Sequence, residues 1–349
     1  MLPSLQLSDV PKPTPGPKQV LVKLSAAALN HRDLFIRQHL YPGISFNAPF
    51  LADGYGTVVE AGPDCAAAST ALIGKHVVLV PHRGWDSDPY GPEDPRKYAI
   101  IGSSAAYESV GTAQEFVVVG DADVVLAPEH LSPAEGAALP LVGVTAWRAL
   151  VTKSGAARAG QNVLITGIGG GVALQALQFA VAVGCNVWVT SGEESKIERA
   201  VGMGARSGVI YKEKDWEKRL GKMLPGERPF LDAVIDGTGG EVVSKTTKLL
   251  KAGGVIVCYG MTLGPKMDWV VQAMLKNIEL KGSTMGSKKE FQDMVEFVRD
   301  KKIRPVVSRV VKGLDNAEGI DGLFEDMKAG KQFGKLVILI DKDVESPKL

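Results

Sequence analysis

Two rhythms of apolar and polar positions divide the chain. In the first third, β-branched runs are separated by Pro, Gly and Asp: VLVKLSAAAL (Val20 to Leu29), GTVVEAG (Gly56 to Gly62), KHVVLVP (Lys75 to Pro81) and AQEFVVVG (Ala113 to Gly120). Short apolar runs bounded by turn formers predict strands, so this part reads as a β-rich domain. Between the last two runs lies a long stretch from Arg83 to Gly111, too rich in Pro and Gly for a helix. Loops of that size often carry function.

From about Leu141 the rhythm changes. NVLITG, NVWVTS, SGVIY, LDAVIDG, GGVIVCYG and IELKGS alternate with segments of helical period or length. That alternation predicts an α/β domain with a parallel sheet. The last stretch predicts a helix around Lys288 to Lys301, strands at RPVVSRVV and KLVILI that return to the first domain, and a short helix around Asp321 to Met327. The expected domains are 1–143, completed by 287–349, and 144–286.

Within the alternating part, the stretch Gly167-Ile168-Gly169-Gly170-Gly171-Val172-Ala173 follows a buried-type strand and opens a helix. This is the context of a dinucleotide fingerprint. Glycine permits the tight turn and lets a pyrophosphate approach backbone N–H groups at the positive end of the helix. The register is loose: G-x-x-G-x-x-A fits Gly167, Gly170 and Ala173, whereas G-x-G-x-x-G would place Val172 at the final glycine. Gly167, Gly170, Gly171 and Val172 are the expected pyrophosphate contacts.

The second strand of this domain ends at Ser191-Gly192, where an NAD-preferring site usually has an Asp or Glu for the ribose 2′-hydroxyl. Glu193 and Glu194 lie past the tip, at a helix start where acids are common. Ser191, Lys196 and Tyr211 offer a hydroxyl, an ammonium and a phenol, which suit a 2′-phosphate. NADPH is therefore the expected cofactor, with Lys196 as a solvated surface lysine the alternative.

Composition narrows the partners. Against 40 Lys+Arg stand 39 Asp+Glu, for a formal net charge of +1. No basic block is present, so nucleic acid and anionic membrane are not expected partners and a small-molecule substrate is. Cys65, Cys185 and Cys258 lie far apart, giving neither a disulfide framework nor a CxxC pair, which fits a reducing compartment. No segment reads as a signal peptide or membrane span, so a soluble, cytoplasmic protein is expected. The terminal Pro-Lys-Leu loosely resembles the peroxisomal Ser-Lys-Leu signal, although a frayed tail is the favoured reading.

The chain as a whole resembles the medium-chain dehydrogenase/reductase superfamily, and within it the zinc-free branch that is quinone-oxidoreductase-like. The motifs occur in order: AAALNHRDL with its Asn-x-x-Asp, LADGYGTVVEAG, GTAQEFVVV, ALPLVGVTAWRAL and TGIGGGVALQALQFA. The resemblance implies a GroES-like β-rich catalytic domain, a Rossmann domain with a doubly wound parallel sheet, and an active-site cleft. The family's usual opening strand before LQLSDVPKP is almost missing, which puts the first hairpin in doubt. Catalytic zinc in the superfamily needs a Cys where this chain has Asn30 and a His where it has Ala52. Neither is a practical zinc ligand, and the segment from Arg83 to Val110 has no cysteine for a structural zinc, so no metal is expected.

Without a metal to polarise an alcohol oxygen, the resemblance implies NADPH-dependent reduction of a quinone or of a C=C conjugated to a carbonyl (an enone, enal or enoyl group). Tyr41 stands at the same distance after Asn30 as a tyrosine in related enoyl and quinone reductases, which makes it the candidate proton donor and substrate contact. Cofactor contacts implied by the resemblance are Asn30, Thr145, Gly260, Met261, Thr284, Met285, Gly286, Phe333, Gly334 and Lys335. Trp85, Tyr90 and Tyr107 are candidates for the substrate side, against local packing. A homodimer, a metal-free aldehyde or ketone reductase, and an NADPH-binding structural or interaction protein complete the expectations.

Overall fold

The computed structural model describes residues 4–264 and 266–341; the terminal Pro-Lys-Leu lies outside them. No strand occurs before Gln19 among the described residues, so the opening hairpin of the family pattern is absent there. The chain divides into two compact units, residues 1–141 with 287–349 and residues 142–286.

In the first unit, β1 (Gln19–Ala28), β2 (Asp53–Ala61), β3 (His76–Leu79), β4 (His82–Arg83), β5 (Ala99–Ile100), β6 (Phe116–Gly120) and β7 (Val124–Leu126) come before the second unit. The second unit carries β8 (Asn162–Ile165), β9 (Asn186–Ser191), β10 (Ser207–Ile210), β11 (Leu231–Asp236), β12 (Leu250–Cys258) and β13 (Glu279–Gly282). The chain then returns to the first unit with β14 (Val307–Lys312) and β15 (Lys335–Leu339).

The sheet of the first unit runs β14-β15-β1-β2-β3-β7, with β6 also on β1. Its core joins Val20, Val22 and Leu24 of β1 to Leu79, Leu336, Ile338 and Phe324, the last on a helix spanning Ala317–Lys328. That helix starts earlier than the apolar pattern indicated, because the Asn316 side chain accepts the Gly319 N–H and stabilises a polar first turn. The register is what matters for function. Ala28 on β1 faces both Asp53 on β2 and Val337 on β15, so Asn30, just past the strand end, falls beside Asp53 and Lys335.

The second unit is a parallel six-stranded sheet in the order β10-β9-β8-β11-β12-β13. Counted within the unit this is 3-2-1-4-5-6, with the reversal between β8 and β11. Open α/β sheets bind ligands outside the strand carboxyl ends at such a switch point. Leu164, Trp188, Val234 and Ile256 fill the core on one face.

Candidate functional site

The glycine loop leaves β8 at the switch point. Gly167 and Gly169 have φ of 64° and 125°, a region that favours glycine. Ile168 N–H donates to the Thr190 carbonyl at 2.8 Å and Gly167 N–H to Thr190 Oγ1 at 3.1 Å, which ties the loop to β9. Gly170 caps the helix Gly171–Ala182 and is exposed, with Val172 half-buried in the first turn. A Cβ at Gly170 would meet nothing nearer than the Gly167 carbonyl oxygen at 3.8 Å, so the space over the helix N-terminus is open. A pyrophosphate fits such a site.

Asp236, at the end of β11, was not among the sequence candidates. Its buried carboxylate accepts from Thr166 Oγ1 at 2.5 Å, Thr238 Oγ1 at 2.8 Å and Gly239 N at 2.9 Å, fixing the two chain ends that flank the switch point. The other predicted contacts sit after neighbouring strands. Gly260 and Met261 follow β12, and Thr284, Met285 and Gly286 follow β13. Thr145, on the helix Pro140–Trp147, points its hydroxyl to the Met285 sulfur at 3.7 Å.

At the tip of β9 the predicted groups have unequal freedom. Ser191 Oγ accepts the Glu193 N–H at 3.1 Å, and Lys196 Nζ pairs with Glu193 Oε1 at 3.1 Å. A Cβ at Gly192 would lie 3.1 Å from both Lys212 Nζ and Tyr211 Oη. The missing side chain thus leaves a small cradle between an ammonium and a phenol. Lys212 has no ion pair among the described residues, and no pattern in the sequence singles it out. These groups fit a 2′-phosphate.

In the first unit, a buried polar cluster forms where the register predicts. The Lys335 ammonium donates to Leu29 O at 2.6 Å, Asn30 Oδ1 at 2.6 Å and Asp53 Oδ2 at 2.8 Å. Asn30 Nδ2 donates to the same Asp53 oxygen at 2.9 Å, and the Leu141 N–H takes the other at 2.8 Å. Three N–H groups thus meet three acceptors. This corrects the expected side-chain roles of Asn30 and Lys335: their polar heads face one another and Asp53, leaving no ammonium N–H for a cofactor. Gly334 has φ of 116°, and a Cβ there would lie 2.4 Å from the Val306 carbonyl oxygen; Phe333 is buried, its N–H on Ser308 Oγ. Both serve the turn into β15.

Asn30 precedes the helix His31–Arg37, whose third residue, Asp33, accepts the Asn30 N–H at 2.7 Å. Burial pushes the Asp33 carboxyl up to about 6, against the opposing pull of Arg32, the Asn30 N–H and Lys335. Beyond the helix, the Tyr41 ring packs 5.0 Å from the Arg32 guanidinium carbon. Trp85 does not line a substrate site. It is 1% exposed, its Nε1 donates to Asp88 O, and it packs edge-on against Tyr98. Tyr107 donates to the Lys97 carbonyl at 2.7 Å, and Tyr90 is almost fully exposed. The long loop holds Trp85 and Tyr107 by local packing and hydrogen bonds.

Residues 16–129 match the alcohol dehydrogenase GroES-like domain, and residues 171–300 match the zinc-binding dehydrogenase domain. A zinc-type alcohol dehydrogenase-like protein, YogA, of Leptosphaeria maculans is 59% identical over 338 residues, covering 96% of this chain and 94% of that protein. The chain belongs to the medium-chain dehydrogenase/reductase superfamily. Among solved members, an NAD-dependent alcohol dehydrogenase superposes with a TM-score of 0.82 at 32% identity, covering 95% of each chain. An acryloyl-coenzyme A reductase of Sulfurisphaera tokodaii is 27% identical, over 95% of this chain and 96% of its own. As a superfamily member the protein is an oxidoreductase that uses a nicotinamide cofactor, with a GroES-like unit and a Rossmann-like parallel sheet.

Proposed function

We propose that this superfamily member is a zinc-independent, NADPH-dependent reductase of a quinone or of a C=C conjugated to a carbonyl. One observation carries the reading. Where the superfamily's catalytic zinc would need a cysteine, Asn30 has its oxygen on the Lys335 ammonium, and the neighbouring zinc-ligand position is Ala52. A fixed cation 2.6 Å from that oxygen opposes a metal there. The protein then has no Lewis acid for alcohol oxidation, whereas an electron-poor alkene or quinone needs none.

The nicotinamide cofactor, when bound, supplies the hydride. The glycine loop and the Gly171–Ala182 helix N-terminus receive its pyrophosphate, and Lys212, Tyr211 and Ser191 receive its 2′-phosphate. Tyr41, whose hydroxyl has no hydrogen bond among the described residues, gives a proton to the enolate left after hydride addition. We also propose a homodimer, supported by Trp269, Val271, Met274 and Leu275 and by Leu280 on the edge strand β13, all at least 42% exposed. Sedimentation at micromolar concentration tests that pairing.

The functional test is NADPH or NADH consumption against a panel of quinones, enones, enals and simple alcohols, with metal content measured and the enal product identified. Reduction of the C=C or quinone by metal-free protein is expected. Stoichiometric zinc with alcohol oxidation would overturn the reading, and an allylic alcohol from the enal would make the protein a carbonyl reductase.

A further inference from the structure

A cavity of about 210 Å³ in the first unit is lined by Arg32, Tyr41, Gly43, Tyr98, Ile100, Ser104 and their neighbours. Sites for drug-sized ligands run to roughly 300–1,000 Å³, so this one suits a compact molecule. Tyr98 is backed by the rings of His82 and Trp85, each 5.8 Å away, which stiffens that wall.

Arg32 is 7% exposed. Of the five N–H groups of a guanidinium, those of Nη1 go to Asp33 Oδ1 at 3.1 Å and Ile101 O at 3.2 Å, and one of Nη2 goes to Gly102 O at 3.0 Å. The buried Nε has no acceptor, and the second N–H of Nη2 is also unassigned. Buried donors without acceptors are uncommon and call for a partner. Two further donors face the same question: the Tyr41 hydroxyl, and the Ser104 hydroxyl, whose oxygen accepts from Ala106 N at 3.3 Å. Tyr41 and Ser104 thus place hydroxyl groups beside Arg32 at the cavity. Charge decides which acceptor fits. The Arg32 cation already has Asp33 against it, so a carboxylate entering here would meet a second carboxylate, while an uncharged oxygen brings no charge against Asp33.

We propose that this cavity receives the carbonyl oxygen of an uncharged, ring-sized conjugated ketone, with Arg32 as the group that holds it. The proposal rests on the reductase reading and names its substrate class. When hydride adds to the carbon β to the carbonyl, the C=C pair moves to form the enolate and negative charge collects on the oxygen. Arg32 stabilises that charge, and the Tyr41 O–H gives its proton to the α carbon to complete the saturated ketone, the phenolate being reprotonated by solvent.

The test uses ligand binding without nucleotide. Cyclohexanone, which has no conjugated C=C, and cyclohexanecarboxylate, of similar size, are titrated by ligand-detected NMR against the parent, Arg32→Lys and Ala99→Leu. The first variant moves the charge away from the cavity wall; the second keeps Arg32 and fills the space. The ketone should bind the parent in preference to the carboxylate and weaken roughly tenfold or more in Arg32→Lys, as expected for a lost hydrogen bond to a charged group. It should be displaced altogether by Ala99→Leu, with NADPH titration unchanged in both. Should Arg32→Lys not fold, Ala99→Leu decides. Tighter binding of the carboxylate, or ketone binding indifferent to the substitutions, overturns the site. A parent that reduces enones yet shows that indifference keeps the reductase reading and loses this one. A parent that binds ketone at the cavity but reduces no C=C does the reverse.

Discussion

The Lys335 ammonium lies 2.6 Å from Asn30 Oδ1 and 2.8 Å from Asp53 Oδ2, with both charged residues buried. Removing one partner of a buried ion pair leaves the other charge uncompensated, at a cost of about 3–5 kcal/mol. Lys335→Met should therefore lower the denaturant midpoint strongly, and Lys335→Met with Asp53→Asn should recover part of the loss. Equal midpoints for parent and Lys335→Met in urea unfolding would show that the pair is not what holds the strand ends together.

Nucleotide choice should depend on Lys212 more than on Lys196. Lys196 is already paired with Glu193, whereas Lys212 lies at the Gly192 cradle without an ion pair among the described residues. A hydrogen bond to a charged group contributes about 1.5–3 kcal/mol. Lys212→Ala should weaken NADPH roughly tenfold or more while leaving NADH nearly unchanged, and Lys196→Ala should do less. Fluorescence titration of both nucleotides reads the difference; equal affinity of the parent for NADH and NADPH would remove the premise.

Gly170→Val tests the loop itself. The added side chain has open space within the protein, so the fold should survive, but it occupies the region where a pyrophosphate must meet backbone. NADPH affinity should collapse with little change in melting temperature. An unchanged titration would make the loop a turn only.

Which parts of this molecule were legible in the sequence follows from how local their causes are. The strands of the second unit and the glycine loop are set by apolar runs and a neighbouring helix start, all within a few residues. Ser191 and Tyr211 draw notice in the sequence because they stand at strand ends. Lys335 was misread because its partners, Leu29, Asn30 and Asp53, are brought to it by sheet register across most of the chain. Lys212 reads as one of several exposed lysines until the gap at Gly192 is seen beside it. Arg32 sits in a helix-start motif whose signal concerns Asn30 and Asp33, and Trp85 looks free only until Tyr98 folds against it.

Asp33 should leave a mark on stability against pH. Its carboxyl is raised to about 6 from the usual 3.8, first by burial, so the folded protein holds a proton that the unfolded chain releases. Below 3.8 both states are protonated and the group has no effect. As pH rises from about 4 to about 6 the folded state loses stability relative to the unfolded, by on the order of 3 kcal/mol, and the loss is constant above that. Asp33→Asn, which keeps an oxygen for the Asn30 N–H, should flatten this part of the profile in urea titrations. A parent and variant with parallel profiles between pH 4 and 6 would contradict the assignment.

The Tyr41 hydroxyl is the remaining group with a step assigned to it. It carries no hydrogen bond among the described residues, so its proton is available, and its ring is held beside the Arg32 guanidinium at 5.0 Å. Tyr41→Phe keeps that ring contact and removes only the O–H. General acid catalysis contributes typically ~10²–10⁴-fold, and water admitted to the site replaces part of it. A fall in kcat of roughly tenfold to a hundredfold is therefore expected, at or below the lower end of that range. NADPH affinity should change little, since the glycine loop, Ser191, Tyr211 and Lys212 belong to the other unit. Solvent isotope effects report on the limiting step: a larger effect on kcat in Tyr41→Phe than in the parent means that proton transfer has become rate-limiting. Full kcat in the variant on an enone or quinone that the parent reduces would assign the proton to solvent and leave Tyr41 as a wall of the cavity.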